Sequence, residues 1–600
     1  MIKLSDYVIK YLEQLNVKHM FMLPGGGAMH LNDSLGKSKK IEYVVCLHEQ
    51  ANAIAAEAYA RVTNNLGLLM VTTGPGGTNA LTGIASAYME STPVLVLSGQ
   101  VKILDQIRDQ KVRQQGIQEV DIISIVKPVT KYAVMVTDPQ KIKYHLDKAV
   151  YEAKHARPGP VWLDIPLDVQ AAMIEESSLL EYKKPIEPIT DISKDVSKII
   201  DILNKAERPV ILAGNGIRLS GGTELFLELI ELLQIPVLTT WNGIDLITED
   251  NNLYYGRPGG LGHRYANFIQ QNSDVFLSIG ARLNLLQTGY NFDGFARAAK
   301  KIMVDIDDNE LHKINVRPDM AVCADAKLFM QEIIKQKDRI NKKDRSAWFT
   351  YCDRVKKAYP LVSDKINNNC EKVNTYHLLY AISLQMEMED IYVSGSSGSC
   401  IEISMQAFRV KKGQRVFCSK ALASMGYGLP STIGAVLASG GKRTVSVVGD
   451  GGFQMNIQEL ETIRRLNLPI KIFVLNNNGY GAINATQTNL FAGHLVACTP
   501  ESKLTMPNIV DVANAYKLRT VTIKENKELE NKVAEVLSGS DPVICDVHVP
   551  LTLTALPKQV SYKRKDGQME SLPLEYMNPP LNDEEFKSNM LIPLYKKKQE

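Results

Sequence analysis

No stretch of this sequence approaches the ~20 uninterrupted apolar residues that a membrane-crossing helix needs, and its opening, MIKLSDYVIKYLEQLNVKHMF, carries charges throughout in place of an apolar export core. Paired cysteines are missing too. Cys46, Cys323, Cys352, Cys370, Cys400, Cys418, Cys498 and Cys545 stand far apart, with no Cys-x-x-Cys and no His at zinc spacing. They read as buried thiols, and the expected location is the cytoplasm. Charge of one sign is scarce: 69 Lys and Arg against 66 Asp and Glu leave a formal +3. The basic residues are scattered, so nothing suggests a nucleic-acid or membrane surface. The one local excess, around 558–565 and 596–598, reads as solvated tail.

What is present is a chain of 600 residues, 45% hydrophobic and 22% charged, long enough for several cores. Strand-length apolar runs recur, each closed by Gly, Pro or a polar residue and separated by helical patterns: HMFMLP, IEYVVCLH, LGLLMVTTG, TPVLVLSG and GPVWLDIP; then RPVILAGNG, IPVLTTWNG, DVFLSIGAR and KIMVDIDD; then DIYVSGSSG, RTVSVVGDGG, PIKIFVLNNNG and DPVICDVHV. Alternating strand and helix predicts an α/β fold of three consecutive doubly wound parallel-sheet domains, at 1–174, 190–345 and 370–555, followed by a tail at 556–600 that lacks the rhythm.

The most informative segment is VSVVGDGGFQMNIQELETIRRLNLPIKIFVLNNNGYGAI. It reads as strand, acidic turn, helix, strand and Asn cluster, which brings Asp450 and Asn477 to one carboxyl edge of a sheet. An Asp carboxylate and an Asn amide oxygen beside a ligand diphosphate suit magnesium. Gly449, Gly451 and Gly452 let the backbone approach the phosphates.

GDG followed 27 residues on by NN resembles the thiamine diphosphate (ThDP) fingerprint. The resemblance implies Asp450, Asn477 and the Gly479 carbonyl as ligands of Mg2+. PGGG, HEQ, AEAYAR and TTGPGGTNALTGIASAYMESTPVLVLSGQ follow in order and resemble the pyrimidine-binding domain of the acetolactate synthase group. The likeness runs to about residue 550. It implies Glu49 as the carboxyl group that activates the cofactor, with Gly27 and Gln118 on the reacting side; His30, in GGGAMHLND, adds a polar group near the cofactor entrance and reads equally as a site residue or a satisfied structural histidine. It implies Pro24, Gly74, Ser396, Ser397, Met425 and Ile483 as further cofactor contacts; Met425 props ThDP in its bent form, and the two serines stand where relatives often carry Gln-His. In this family a pyrimidine-binding and a diphosphate-binding domain from different subunits share each site, so a homodimer or homotetramer is implied.

In the middle domain, PVILAGNGIRLSGG, TTWNGIDLI, GRPGGLGHRYAN, IGARLN and MVDIDDNELHK resemble the FAD-holding domain of acetolactate synthases and pyruvate oxidases, which implies FAD lined by Gly214, Gly216, Gly260, His263, Arg282, Asp305 and Asp325. The implied activity is decarboxylation of a 2-keto acid such as pyruvate and transfer of the two-carbon unit to a carbonyl acceptor.

The acceptor side departs from the family. Where RFDDR is usual, this chain has Arg282-Leu283-Asn284-Leu285-Leu286, and Leu286 cannot grip a carboxylate as the final Arg would. Ile117 replaces the Phe before Gln118, and Thr486 stands where a Trp is usual. A keto acid and a nucleotide-linked keto sugar both stay open as acceptor, as do simple decarboxylation and pyruvate oxidation. The tail resembles those of acetolactate-synthase-like proteins of surface-sugar synthesis, and either closes over the site or docks on the surface.

Overall fold

The computed structural model describes residues 1–107, 111–186, 190–362, 371–552, 554–564 and 567–596. Cys370, Lys565, Lys597 and Lys598, read above as a buried thiol and solvated tail, lie outside them. Among the described residues no helix is long and apolar enough to cross a membrane.

Three all-parallel sheets carry the chain. The first has the spatial order Glu42–Val45, His19–Met22, Gly67–Val71, Val94–Gln100, Val161–Pro166, Tyr132–Met135. The second is ordered Val237–Thr239, Pro209–Ala213, Val275–Ile279, Lys300–Asp305, Met320–Cys323. The third is ordered Arg415–Phe417, Ile391–Ser394, Thr444–Gly449, Ile470–Asn476, Val543–His548, Arg519–Ile523. In each, the chain steps from its first strand to one side and then crosses to the other, which opens a crevice at the carboxyl edge where ligands of such sheets bind. The crevices fall beside Pro24 and Gly74, Gly214 and Gly280, and Ser396 and Gly449.

Every interior strand matches an apolar run expected from sequence. Within these three sheets four strands were not anticipated, Tyr132–Met135, Met320–Cys323, Arg415–Phe417 and Arg519–Ile523, and all four are edges. Each keeps one or more side chains partly buried or exposed, and Tyr132–Met135 is only partly buried throughout, so they lack the continuous apolar signature of a strand covered on both faces. One thiol departs from expectation for the same reason: Cys323, ending an edge strand, is exposed, whereas the other six described cysteines are buried.

The first and third domains meet through the helices Glu49–Thr63 and Gly428–Ala438. The sequence EQANAIAAEAYARVT is rich in Ala, and Gly434 sits so close that a Cβ there would lie 2.1 Å from the Ala55 carbonyl oxygen. The contact is sealed by Arg61, buried beside Glu57 (3.3 Å), donating to the Cys418 carbonyl (3.0 Å) and lying over the Phe417 ring. The tail docks on the middle domain: Glu575 is buried between Arg297 (2.6 Å) and Gln271 (2.6 Å), and the Asn589 carbonyl accepts from Asn272 and Tyr351. Gly434→Ala should lower stability by about 1–3 kcal/mol in denaturant unfolding; an unchanged midpoint would show that the helices separate at no cost.

Candidate functional site

The third domain builds one half-site from two adjacent strand ends. Asp450 opens the short helix Asp450–Gln454 and is buried, its carboxylate accepting from the backbone N–H of Gly451 (2.7 Å), Asn477 (3.2 Å) and Gly479 (3.3 Å). Burial, only partly offset by these donors, pushes its carboxyl up to about 6. Asn477 Oδ1 accepts from Gly479 N–H (3.1 Å), so the three expected ligands form one hydrogen-bonded knot. Among the described residues no three of His, Cys, Asp or Glu cluster as a metal set. Any cation here would therefore take a mixed oxygen set of one carboxylate, one amide and a backbone carbonyl, the donors magnesium accepts.

The cradle is open where a phosphate would enter. A Cβ on Gly449 would meet nothing within 4 Å, and one on Gly452 would only graze the Gly426 nitrogen at 3.9 Å. At Gly451 it would strike the Tyr480 ring at 2.3 Å and Met425 Cε at 3.1 Å, which places Met425 on this turn. Ser396 is buried and donates to the Ser424 carbonyl, so its hydroxyl proton is already committed. The Ser397 carbonyl accepts from Cys400 Sγ, and Ile483 is 47% exposed on the first turn of Gly481–Leu490.

The first domain builds the other half. The glycines of Pro24–Gly27 are demanded by packing: a Cβ on Gly25 or Gly27 would fall 2.5 or 2.7 Å from Thr72 or Thr73. Gly74, at φ +64°, has the Gln118 carbonyl so near that a Cβ would lie 2.4 Å from it. This joins the exposed Gln118, itself at φ +63°, to the same edge. His30 is half-buried one turn beyond Gly27, on the helix Met29–Lys37. Glu49 is buried as the first residue of its helix, behind His48, whose Nδ1 caps Gln50 N–H (3.1 Å). Asn79, not foreseen from sequence, donates to Glu49 Oε2 (3.0 Å). Below, Asp164 is fully buried, accepting from Ser98 Oγ (2.5 Å) and Gln100 Nε2 (3.1 Å); the same Gln100 amide donates to the Val120 carbonyl and so steadies the Gln118 loop.

Within one chain the two halves do not meet. Ala55 faces Gly434, and Arg61 reaches Cys418 and Phe417, which precede the Gly428 end of the partner helix, so the two helices run antiparallel. Glu49 therefore lies a further ~9 Å along its helix on the side away from Met425. The carboxyl edges of the two sheets point in opposite directions.

Between the three domains lies a cleft of about 420 Å³. The ends of all five middle-domain strands line it, through Asn215 and Gly216, Trp241, Arg282, Asp305 and Asp325, while Glu90 and Arg157 of the first domain and Lys420 of the third close it. Asn215 Oδ1 is buried without a hydrogen-bond partner. Burial raises the Asp305 carboxyl, and the Asp325 carboxylate caps the helix Ala326–Lys335. Arg282, at φ +59°, donates to the Met89 carbonyl (2.7 Å) across the domain boundary.

Three expected cleft residues do not line it. Gly214 is part of the floor, pressed against Gly280 so that a Cβ would lie 2.1 Å from its carbonyl oxygen. Gly260 is covered by the tail, its carbonyl accepting from Gln559 N–H (2.7 Å). His263 is buried, with Nε2 on the Gln406 carbonyl (2.7 Å); burial and the neighbouring Arg257 hold it well below its ordinary value, and it fastens the middle domain to the third. Asn215, Trp241, Glu90 and Lys420 were not foreseen, because their roles depend on contacts distant in sequence.

Comparison with known proteins covers the same three units. Residues 2–125 match the thiamine pyrophosphate enzyme N-terminal TPP binding domain, 196–333 the central domain and 396–547 the C-terminal TPP binding domain. The chain is 33% identical over 585 residues to the acetolactate synthase large subunit of Cyanidium caldarium, covering 95% of this chain and 96% of that one. It is 32% identical to a probable acetolactate synthase large subunit of Methanococcus aeolicus (90% and 91% covered) and 31% identical to acetolactate synthase 2 of Zea mays (92% and 86%).

Asp164 yields a pH signature. Burial pushes its carboxyl up to about 7 from 3.8, so the folded protein favours the protonated form. Its contribution to stability is full below about pH 4, declines as pH rises towards 7, by on the order of 4 kcal/mol in all, and is constant above. Unfolding of Asp164→Asn measured from pH 5 to 8 should show a flatter decline than the parent; parallel curves would disprove the assignment.

Proposed function

The chain belongs to the thiamine pyrophosphate enzyme family, and from that premise we propose how its two half-sites divide the work of an acetolactate-synthase-type carboligase. The protein is a ThDP-dependent enzyme of that type. When bound, ThDP would supply the carbanion and electron-sink chemistry for decarboxylating a 2-keto acid such as pyruvate and passing its two-carbon unit to a second carbonyl.

The chain's own residues position and protonate. Glu49 would donate to the pyrimidine nitrogen and relay a proton, with Asn79 orienting its carboxyl group. Asp450, Asn477 and the Gly479 carbonyl hold Mg2+ against the diphosphate, in the knot that their mutual hydrogen bonds preform. Met425, beside Gly451, props the cofactor. Gly27, His30 and Gln118 face the reacting carbons from the first domain. Because Glu49 and Met425 lie at opposite ends of the antiparallel helix pair, each complete site takes its first-domain half from one subunit and its third-domain half from another, and the protein is a homo-oligomer. FAD occupies the cleft between the domains, where the glycine crossover, the acidic strand ends and the unpartnered Asn215 oxygen suit a dinucleotide.

The acceptor is a larger carbonyl compound than a keto acid, a nucleotide-linked keto sugar. The observation that carries this is Leu286: it sits on the cleft wall with its carbonyl bound to Gly260 N–H (2.9 Å), an apolar side chain where a carboxylate-gripping Arg would be needed. Thr486, exposed on the helix beyond the metal knot, leaves further room. Mass spectrometry of products from pyruvate alone and from pyruvate with nucleotide-linked keto sugars tests the reading. A branched sugar formed with carbon dioxide release supports it; acetolactate from pyruvate alone, free acetaldehyde or oxygen consumption would replace it with the corresponding alternative. Glu49→Gln should slow carbon dioxide release at least ~100-fold while ThDP still binds, and Leu286→Arg should move acceptor preference towards 2-keto acids.

A further inference from the structure

The cleft has a polarity that says where each part of FAD would lie. A diphosphate belongs at the crossover, where the backbones of Gly216 and Gly280 approach so closely that a Cβ on Gly216 would lie 2.7 Å from Gly280 Cα. Asp305 and Asp325, at the ends of the next two strands outward, are acceptors suited to the hydroxyls of a ribose. The adenosine half therefore runs outward along the sheet, and the flavin ring is left the opposite end, walled by Trp241, Leu261, Leu286 and Lys420.

On that wall the third domain contributes Cys418, Lys420 and Ala421, and Lys420 is the charged one of the three. Its side chain is 27% exposed, with Nζ 5.9 Å from the centre of the Trp241 ring and 3.4 Å from Glu402 Oε1. Glu402 does not line the cleft, so the carboxylate lies behind the ammonium and the positive end of the pair faces the cavity. The other cations of the cleft are committed to closer hydrogen bonds: Arg157 to Asp307 (2.9 Å) and Glu310 (2.8 Å), Arg282 to the Met89 carbonyl (2.7 Å), and Lys154 to Asn65 Oδ1 (2.5 Å).

We propose that Lys420 tunes the bound flavin, its ammonium stabilising the negative charge that the ring carries after reduction. Two electrons and one proton taken up by the oxidised ring leave one negative charge at neutral pH, and a fixed cation within a partly water-excluded cleft lowers the free energy of that product. Lys420 is thus a positioning charge for a redox-competent flavin rather than a group that touches the reacting carbons. This rests on the FAD reading above, and its test separates the two.

The experiment is the reduction potential of FAD bound to the full chain loaded with ThDP and Mg2+, measured by equilibration with reference dyes during gradual reduction by dithionite. Lys420→Met should lower the potential by about 30 mV or more, the shift of a tenfold change in a two-electron equilibrium, and Lys420→Arg should restore most of it. Glu402→Gln, which removes the opposing charge, should raise the potential. Flavin retained through gel filtration, with unchanged affinity by fluorescence titration, shows that the variants keep the cleft intact. If Lys420→Met loses the flavin, Glu402→Gln decides instead: a potential raised above wild type supports the role of Lys420, and an unchanged or lowered one overturns it. Equal potentials across the set, or shifts of one sign for Lys420→Met and Glu402→Gln, would overturn the role of Lys420 alone. A wild-type protein that retains no flavin would overturn the FAD reading and the inference with it.

Discussion

How near two small-residue helices can come governs everything chemical in this molecule. Ala55 and Gly434 let the Glu49–Thr63 and Gly428–Ala438 helices touch backbone to backbone, and the pair runs antiparallel. Each helix runs back along its own sheet from the carboxyl edge. Antiparallel packing therefore turns the two edges apart, so that within one chain the Glu49 cluster and the Asp450–Asn477 knot face away from each other. Catalytic geometry is in this sense a by-product of a packing distance.

A second constraint keeps the middle domain in register with that pair. Asp245 is fully buried between Arg218 (2.9 Å) of its own domain and Arg415 (2.6 Å) of the third, and also accepts from Val416 N–H. Burial alone would raise its carboxyl, but the two guanidinium groups outweigh that and hold it low. Arg415 also reaches the Arg61 carbonyl, and Glu90 accepts from Asn242 and Ala421, so three domains converge on a few polar contacts. Such buried charges are costly to desolvate. Their value is angular: few arrangements of three domains satisfy all of them at once.

The interior of each sheet was legible in the sequence because a strand covered on both faces must be continuously apolar, as in LLMV of Gly67–Val71 or VLVL of Val94–Gln100. The edges Tyr132–Met135 and Arg519–Ile523 were not, because one face is half exposed and the pattern blurs into that of a loop. Of the site glycines, Gly74 was legible because its positive φ is a local backbone need, and Gly451 because it stands inside the compact GDGG turn. Asn79, Gln100 and Asp164 were not, since each acts through a partner on another element. His263 was misjudged for the converse reason: GGLGH reads as a ligand loop, but the fold buries its ring against Gln406. The role of Leu286 could be read only as a departure from a pattern, and its place on the cleft wall gave that departure a physical meaning.

The cleft that all three domains wall has a thermodynamic corollary. A molecule seated there touches every domain, so its binding free energy is also a free energy of domain closure. For a ligand that prefers the closed arrangement, each tenfold excess over its dissociation constant adds about 1.4 kcal/mol to the assembled state. Occupancy of the cleft thereby adds to how rigidly the three domains are held relative to one another. Scarcity of that ligand in the cell would be felt first as looseness between domains, before any residue of the reaction itself is disturbed.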